Sequence, residues 1–274
     1  MDVILAVLLW GIGGITLLYL LAIMPRVIGR PDMSLFVNRW YAHRGLHDNT
    51  TDAPENSLSA FQKAVDAGFG IELDIQLTKD NIPVVFHDFT LERMCGMEGK
   101  VCEYTYEELQ QFRLKGTDQS IPKLEEVLRL VDGKVPLIVE FKVERLNLSL
   151  CSIADEVLGR YRGAYCMESF HPLCVRWYRK HRKEVVRGQL AQDFFKDKTY
   201  KGPLYWVLKY LLLNFWTKPD FIAYDHHAYK NISCRLCRKL YGCPIVAWTI
   251  KNEEEYHARK RDFDLFIFDT FLPK

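Results

Sequence analysis

Residues 3–24 (VILAVLLWGIGGITLLYLLAIM) run without a charge, and beyond them the pattern changes to short apolar runs alternating with amphipathic stretches. As a helix the first segment is about 33 Å long, enough to cross a bilayer. A connector, 25–38, is broken by Pro25, Gly29 and Pro31. The apolar runs that follow are rich in β-branched and aromatic residues and predict nine strands: WYAH (40–43), IELDIQL (71–77), IPVVFH (82–87), PLIVEF (136–141), AYCMESF (164–170), VVRGQLA (185–191), FIAYDHH (221–227), PIVAWTI (244–250) and DLFIFDT (264–270). Between them SLSAFQKAVDAG sets Leu58, Phe61 and Val65 on one helical face, and TYEELQQF opens with a Thr105/Glu108 capping box. Strand and helix in alternation imply a parallel sheet, and this many units imply an α/β fold, a TIM (β/α)8 barrel over 39–274 preceded by one transmembrane helix, 1–24.

The second and third runs are separated by residues 78–81 alone, too few for a parallel crossover, so they form an antiparallel hairpin and leave eight strands for the closed barrel. A two-residue Asp80-Asn81 turn would pair Lys79 with Ile82 and set His87 directly opposite Asp74.

Charge and cysteine content narrow the class. Among 274 residues, 37 Lys+Arg against 35 Asp+Glu leave a net charge of +2, which argues against a nucleic-acid partner. The first segment lacks the basic start and small-residue cleavage site of a secretory signal, so it reads as an uncleaved single-pass anchor. Arg26 and Arg30 follow it and Asp2 precedes it, which places the body in the cytoplasm. Eight scattered cysteines suit free thiols in a reducing compartment.

Glu72 and Asp74, two apart on a strand, share a face, and inside a barrel such a pair needs a cation. Glu140 and Lys142 repeat the spacing, and three carboxylates without a cysteine make a hard oxygen set suited to Mg²⁺ or Ca²⁺. His43, Arg44 and Gly45 end the first strand, where barrel enzymes place their chemistry. The arginine offers a fork for an anion, the glycine a close backbone approach, and the histidine a proton carrier. With His87, these groups suit hydrolysis of a phosphate diester.

In order along the chain, HRG, PENS, E-x-D, VVFHD, IPKLEEVL and E-x-K resemble the glycerophosphodiester phosphodiesterase family over residues 39–274. The resemblance implies a TIM barrel with a small insertion at about 88–119, and metal-dependent hydrolysis of glycerophosphodiesters to glycerol 3-phosphate and an alcohol. It implies His43 and His87 as the acid/base pair, with Glu72, Asp74 and Glu140 as ligands of the divalent cation. Arg44 and Lys142 would hold the phosphate, Trp248 would line the pocket, and Glu55 and Asn56 would stand in the shell around the site, Asn56 also capping the next helix.

Other features have plainer readings. Cys234 and Cys237 sit in a helical run without a fourth zinc ligand, and His47 reads as a solvated loop residue. One of His226 and His227 could face the pocket. The basic run 176–183 reads as a solvated helix face. The apolar stretch 203–216 reads as a buried barrel helix or, alternatively, as a membrane-surface segment carrying Trp206, Tyr210 and Trp216. The latter goes with a lysophospholipase D-like activity on membrane lysophospholipids; a third reading is a catalytically silent, membrane-tethered binding module.

Overall fold

The computed structural model describes residues 3–144, 146–196 and 200–273. All nine predicted strands are present: β1 (Trp40–His43), β2 (Gly70–Leu77), β3 (Pro83–Val85), β4 (Leu137–Phe141), β5 (Tyr165–Ser169), β6 (Arg187–Ala191), β7 (Phe221–Asp225), β8 (Ile245–Ile250) and β9 (Leu265–Phe268). Eight run parallel in the order β1-β9-β8-β7-β6-β5-β4-β2, and β1 pairs with β2 to close the barrel; β3 lies antiparallel on β2. Helices such as Leu58–Asp66, Leu124–Val131 and Ile232–Tyr241 cover the outside, packing Phe61, Val127 and Cys237 against the strands. The Thr105/Glu108 capping box forms as its residue types dictate.

The hairpin register differs from the expected one by a single residue. Ile75 faces Val85 and Gln76 faces Val84, so Phe86, whose N–H donates to the Asp74 carbonyl at 2.9 Å, takes the place expected for His87. The loop holds three residues, with Thr78 and Ile82 closing it (Thr78 N–H to Ile82 O 3.1 Å; Ile82 N–H to Thr78 Oγ1 2.9 Å) and Asn81 at φ 61°. Asparagine tolerates that left-handed conformation, and the hydroxyl of Thr78 favours the wider turn. His87 therefore lies beyond the strand, where the Gln76 amide donates to the carbonyls of Phe86, His87 and Asp88 at 2.8, 3.2 and 2.7 Å and fixes the path of the chain. The following segment builds a small core of its own from Leu91, Met94, Val101, Leu109, Leu114 and Ile121 against Val84 and Phe86.

The N-terminal helix, Val3–Ile23, is long and apolar enough to cross a membrane. Its last turn is fixed to the barrel. Ile23 is buried, its carbonyl accepts from Asn214 Nδ2 at 3.1 Å and Cys237 Sγ at 3.2 Å, and the Tyr19 hydroxyl meets Ser233 Oγ at 2.7 Å. Arg26 pairs with Asp220 at 3.5 Å, and Arg30 donates to the carbonyls of Tyr241 and Gly242, satisfying a helix C-terminus. The buried-helix reading of 203–216 fails for its first half: the helix Pro203–Lys209 contains no buried residue, because only the chain after it, through Leu211 and Asn214, reaches the core.

Candidate active site

Barrel closure and register bring the acidic residues to one level. Asp74 pairs with Glu140 and Glu140 with Glu168 across three adjacent strands, all inward, while Glu72 lies two residues below Asp74 and beside His43. Glu72, Asp74 and Glu140 are buried and each offers an oxygen within 4.8 Å of the others. Burial and the neighbouring carboxylates push Glu72 well up, and burial raises Glu140 against the pull of Lys142. Burial opposes ionisation of Asp74 too, but His87, Lys142, Arg44 and the Asn56 amide at 2.9 Å together hold it well below the usual carboxylate range. Asp74 Oδ1 lacks a hydrogen-bond partner. A crowded, partly unsatisfied all-oxygen set is what a hard divalent cation relieves, so these three residues fit one.

Two cations face the cluster. Lys142 Nζ lies 3.1 Å from Glu140 and 3.6 Å from Asp74. Arg44 sits at φ 56°, which aims its backbone N–H at Glu72 Oε2 (3.1 Å), and its guanidinium reaches Glu55 at 2.7 Å and Asp74 at 3.5 Å. Gly45, read above as leaving room for a ligand, has another reason to be glycine: φ is +83°, and a Cβ would stand 2.9 Å from the Ala60 backbone. Glu55 also receives Arg93 at 2.6 Å and Asn49 at 3.0 Å, and these partners with Arg44 bring it down to about 2 despite burial. Asn56 does not cap the next helix. Ser57 does, accepting from Ala60 N–H, which leaves the Asn56 amide for Asp74.

The two histidines flank this cluster. His43 Nδ1 lies 3.4 Å from Asp269 Oδ2, and burial and Arg44 bring the imidazole down to about 4 against the pull of Asp269. His87 Nδ1 meets Asp88 Oδ1 at 2.6 Å, its charge acts on both Asp74 and Glu140, and Arg93 clamps Asp88 from the other side. Trp248, in the second half of β8, stands edge-on to Phe170 at 5.6 Å, its buried indole N–H without a partner.

Residues 43–271 match the sequence profile of the glycerophosphoryl diester phosphodiesterase family. The chain belongs to this family. A glycerophosphodiester phosphodiesterase of Caldanaerobacter subterraneus is 41% identical over 230 residues, covering 78% of this chain and 86% of that protein. The mouse glycerophosphodiester phosphodiesterase 1 is 38% identical over 267 residues, covering 84% and 77%. Among solved structures, a Thermotoga maritima glycerophosphodiester phosphodiesterase superposes at TM-score 0.63 with 27% identity, covering 84% of this chain and 93% of that one. An Oleispira antarctica phosphodiesterase, solved with sn-glycerol 3-phosphate, superposes at 0.69 with 22% identity, covering 85% and 93%, and shares the fold.

Against the family-based expectation, the structure adds residues at the same site. Glu168 is buried, and burial with Glu140 and Asp74 nearby pushes its carboxyl far up. Asp269, Asp88 and Arg93 orient the histidines, and His47 is no solvated loop residue, since its Nε2 lies 3.2 Å from Asp269 Oδ1. Asp269 and Glu168 close predicted strands, a position that marks barrel chemistry; Arg93 carried no such signal. His226 is buried against His227 and Glu255, turned to the helix Glu253–Arg259. Cys234 and Cys237 are free, buried thiols.

Proposed function

We propose that this chain hydrolyses glycerophosphodiesters to sn-glycerol 3-phosphate and an alcohol, with His43 and His87 moving the protons. The observation that carries this reading is the pair of histidines, each braced by its own aspartate, beside three carboxylates that fit a divalent cation. Glu72, Asp74 and Glu140 would hold that ion, Mg²⁺ or Ca²⁺, which when bound neutralises phosphate charge and lowers the pKa of an attacking hydroxyl or water. His43, neutral at pH 7, takes the proton of the attacking group; His87, its Nδ1 fixed on Asp88, delivers a proton to the departing alcohol oxygen. Arg44 and Lys142, both paired with Asp74 beside the acidic cluster, would hold the phosphate, and Trp248 would line the pocket.

The helix Val3–Ile23 supports a single-pass anchor, with Arg26 and Arg30 on its barrel side favouring a cytoplasmic body. The roles are tested by His87→Ala and Glu140→Ala. The first is expected to lower turnover of glycerophosphocholine by roughly 10²–10⁴-fold with calorimetric metal affinity retained, the second to weaken metal binding itself. The reverse pattern would overturn both assignments.

A further inference from the structure

At the end of the barrel away from the active site, cations outnumber their partners. Arg187 opens β6 and Lys218 precedes β7, so both stand where strands begin, whereas the catalytic groups gather where strands such as β1 finish. With Arg26, Arg179 and Lys183 they line a cleft of about 520 Å³ that Tyr241 also borders, and among the described residues no carboxylate lines it.

Arg187 is 2% exposed. Its Nε donates to the Lys218 carbonyl at 2.9 Å, but its buried Nη1 has no hydrogen-bond partner and lies 3.7 Å from Asp220 Oδ2. Asp220, itself buried, also serves Arg26 at 3.5 Å and accepts the Arg187 backbone N–H at 3.1 Å. One carboxylate thus answers two guanidiniums. Arg179 turns to the Phe215 and Trp216 carbonyls, and Lys218 Nζ to the Met24 carbonyl at 3.3 Å, contacts that leave their charges unopposed. Burial brings Arg187 down to about 10, with Arg26 and Arg179 pushing the same way against Asp220, and burial with Arg179 lowers Lys218. A buried, half-answered guanidinium ringed by four more cations is costly to a fold unless an anion completes it. Five cations against one carboxylate call for a multiply charged anion, and arginine forks with lysine ammoniums match the oxygens of a phosphate group.

A water-soluble phosphate and a phospholipid headgroup share this chemistry, and the path of the N-terminal helix favours the first. Along the helix Ile232–Tyr241, Tyr19 meets Ser233, Ile23 meets Cys237, and Arg30 meets the carbonyls of Tyr241 and Gly242. A helix that follows a barrel strand starts at that strand's C-terminal end, so the free part of Val3–Ile23 leaves the barrel on the active-site side. A bilayer crossed by that helix lies away from the cleft.

We propose that this cleft binds the phosphate group of a water-soluble anion, with Arg187 as the buried anchor and Arg26, Arg179, Lys183 and Lys218 around it. The bound anion ties residues 24–28 to β6 and β7. The site is separate from the catalytic one and stands or falls independently of the diesterase reading.

The test titrates inorganic phosphate calorimetrically into the full chain in neutral detergent, with Arg44→Gln and Lys142→Gln present throughout so that phosphate at the catalytic site does not register. Lys183 is exposed and its ammonium makes no hydrogen bond among the described residues, so Lys183→Glu spares the fold; it is expected to weaken phosphate binding at least tenfold. Arg187→Gln is expected to abolish it, and should that chain not fold, Lys183→Glu decides. Undiminished binding in either folded variant overturns the site, as does a parent chain that takes no phosphate. A second arm repeats the titration in phosphatidylcholine nanodiscs with and without phosphatidylglycerol, at a salt concentration that screens the bilayer's surface charge. Equal affinity in the two supports the soluble anion; weaker binding with phosphatidylglycerol overturns that source and gives the cleft to a lipid headgroup.

Discussion

Glu55 joins two arginines from distant parts of the chain: Arg44 at the end of β1 and Arg93 in the segment after β3. Through Arg93 it braces Asp88 and so His87; through Arg44 it braces Asp74. Its carboxyl falls from 4.5 to about 2 on folding, since the arginines outweigh burial. A depressed carboxylate contributes stability that is complete above its unfolded value and is lost as pH falls through the folded one. Glu55→Gln is therefore expected to unfold at a lower temperature than wild type at pH 7, by about 3 kcal/mol, with the gap closing between pH 4.5 and 2. A gap that stays constant across that range would show that Glu55 acts by packing and not by charge. Of these residues Glu55 is legible in PENS, but its partner Arg93 is not, because an arginine on a short surface helix shows no periodicity that separates it from any solvated one.

At the scale of elements, the turn after β1 is where backbone and chemistry constrain each other. Arg44 and Gly45 both have positive φ, and the turn presses Gly45 onto Ala60 and Phe61 of the next helix. Gly45→Ala meets both the backbone penalty and the 2.9 Å contact, and is expected to cost roughly 2–4 kcal/mol in chemical denaturation and to lower activity by shifting His43 and Arg44. A stable, fully active variant would contradict this account of the turn. The strands were legible because apolar runs bounded by Gly, Pro and polar residues leave little choice, and nine runs with one short connection dictate eight strands plus a hairpin arm. The hairpin register was not, because it depends on one loop residue: Asn81 adopts the left-handed conformation, the loop takes three residues, and every facing pair shifts by one. His87 still reaches the carboxylates because Gln76, whose amide donates to three successive carbonyls, bends the chain after β3.

The whole molecule concentrates its unbalanced charge at one end of the barrel. Glu72, Asp74, Glu140 and Glu168 converge there, and the cations set against them are Arg44 and Lys142, the first already engaged by Glu55. The sequence pattern predicts three of those carboxylates from the E-x-D and E-x-K spacings; Glu168, in a run of otherwise apolar and small residues, becomes visible once β5 is placed beside β4. Such a cluster is costly to a fold unless a multivalent cation or an anionic substrate held through one completes it. The central claim is therefore best tested by removing divalent metal from the full-length protein with a chelator and following release of sn-glycerol 3-phosphate from glycerophosphocholine as Mg²⁺ or Ca²⁺ is added back. The account predicts no turnover in the stripped protein, recovery with one of the two ions, and no recovery in His43→Ala. Turnover that survives chelation, or that survives loss of His43, would contradict it.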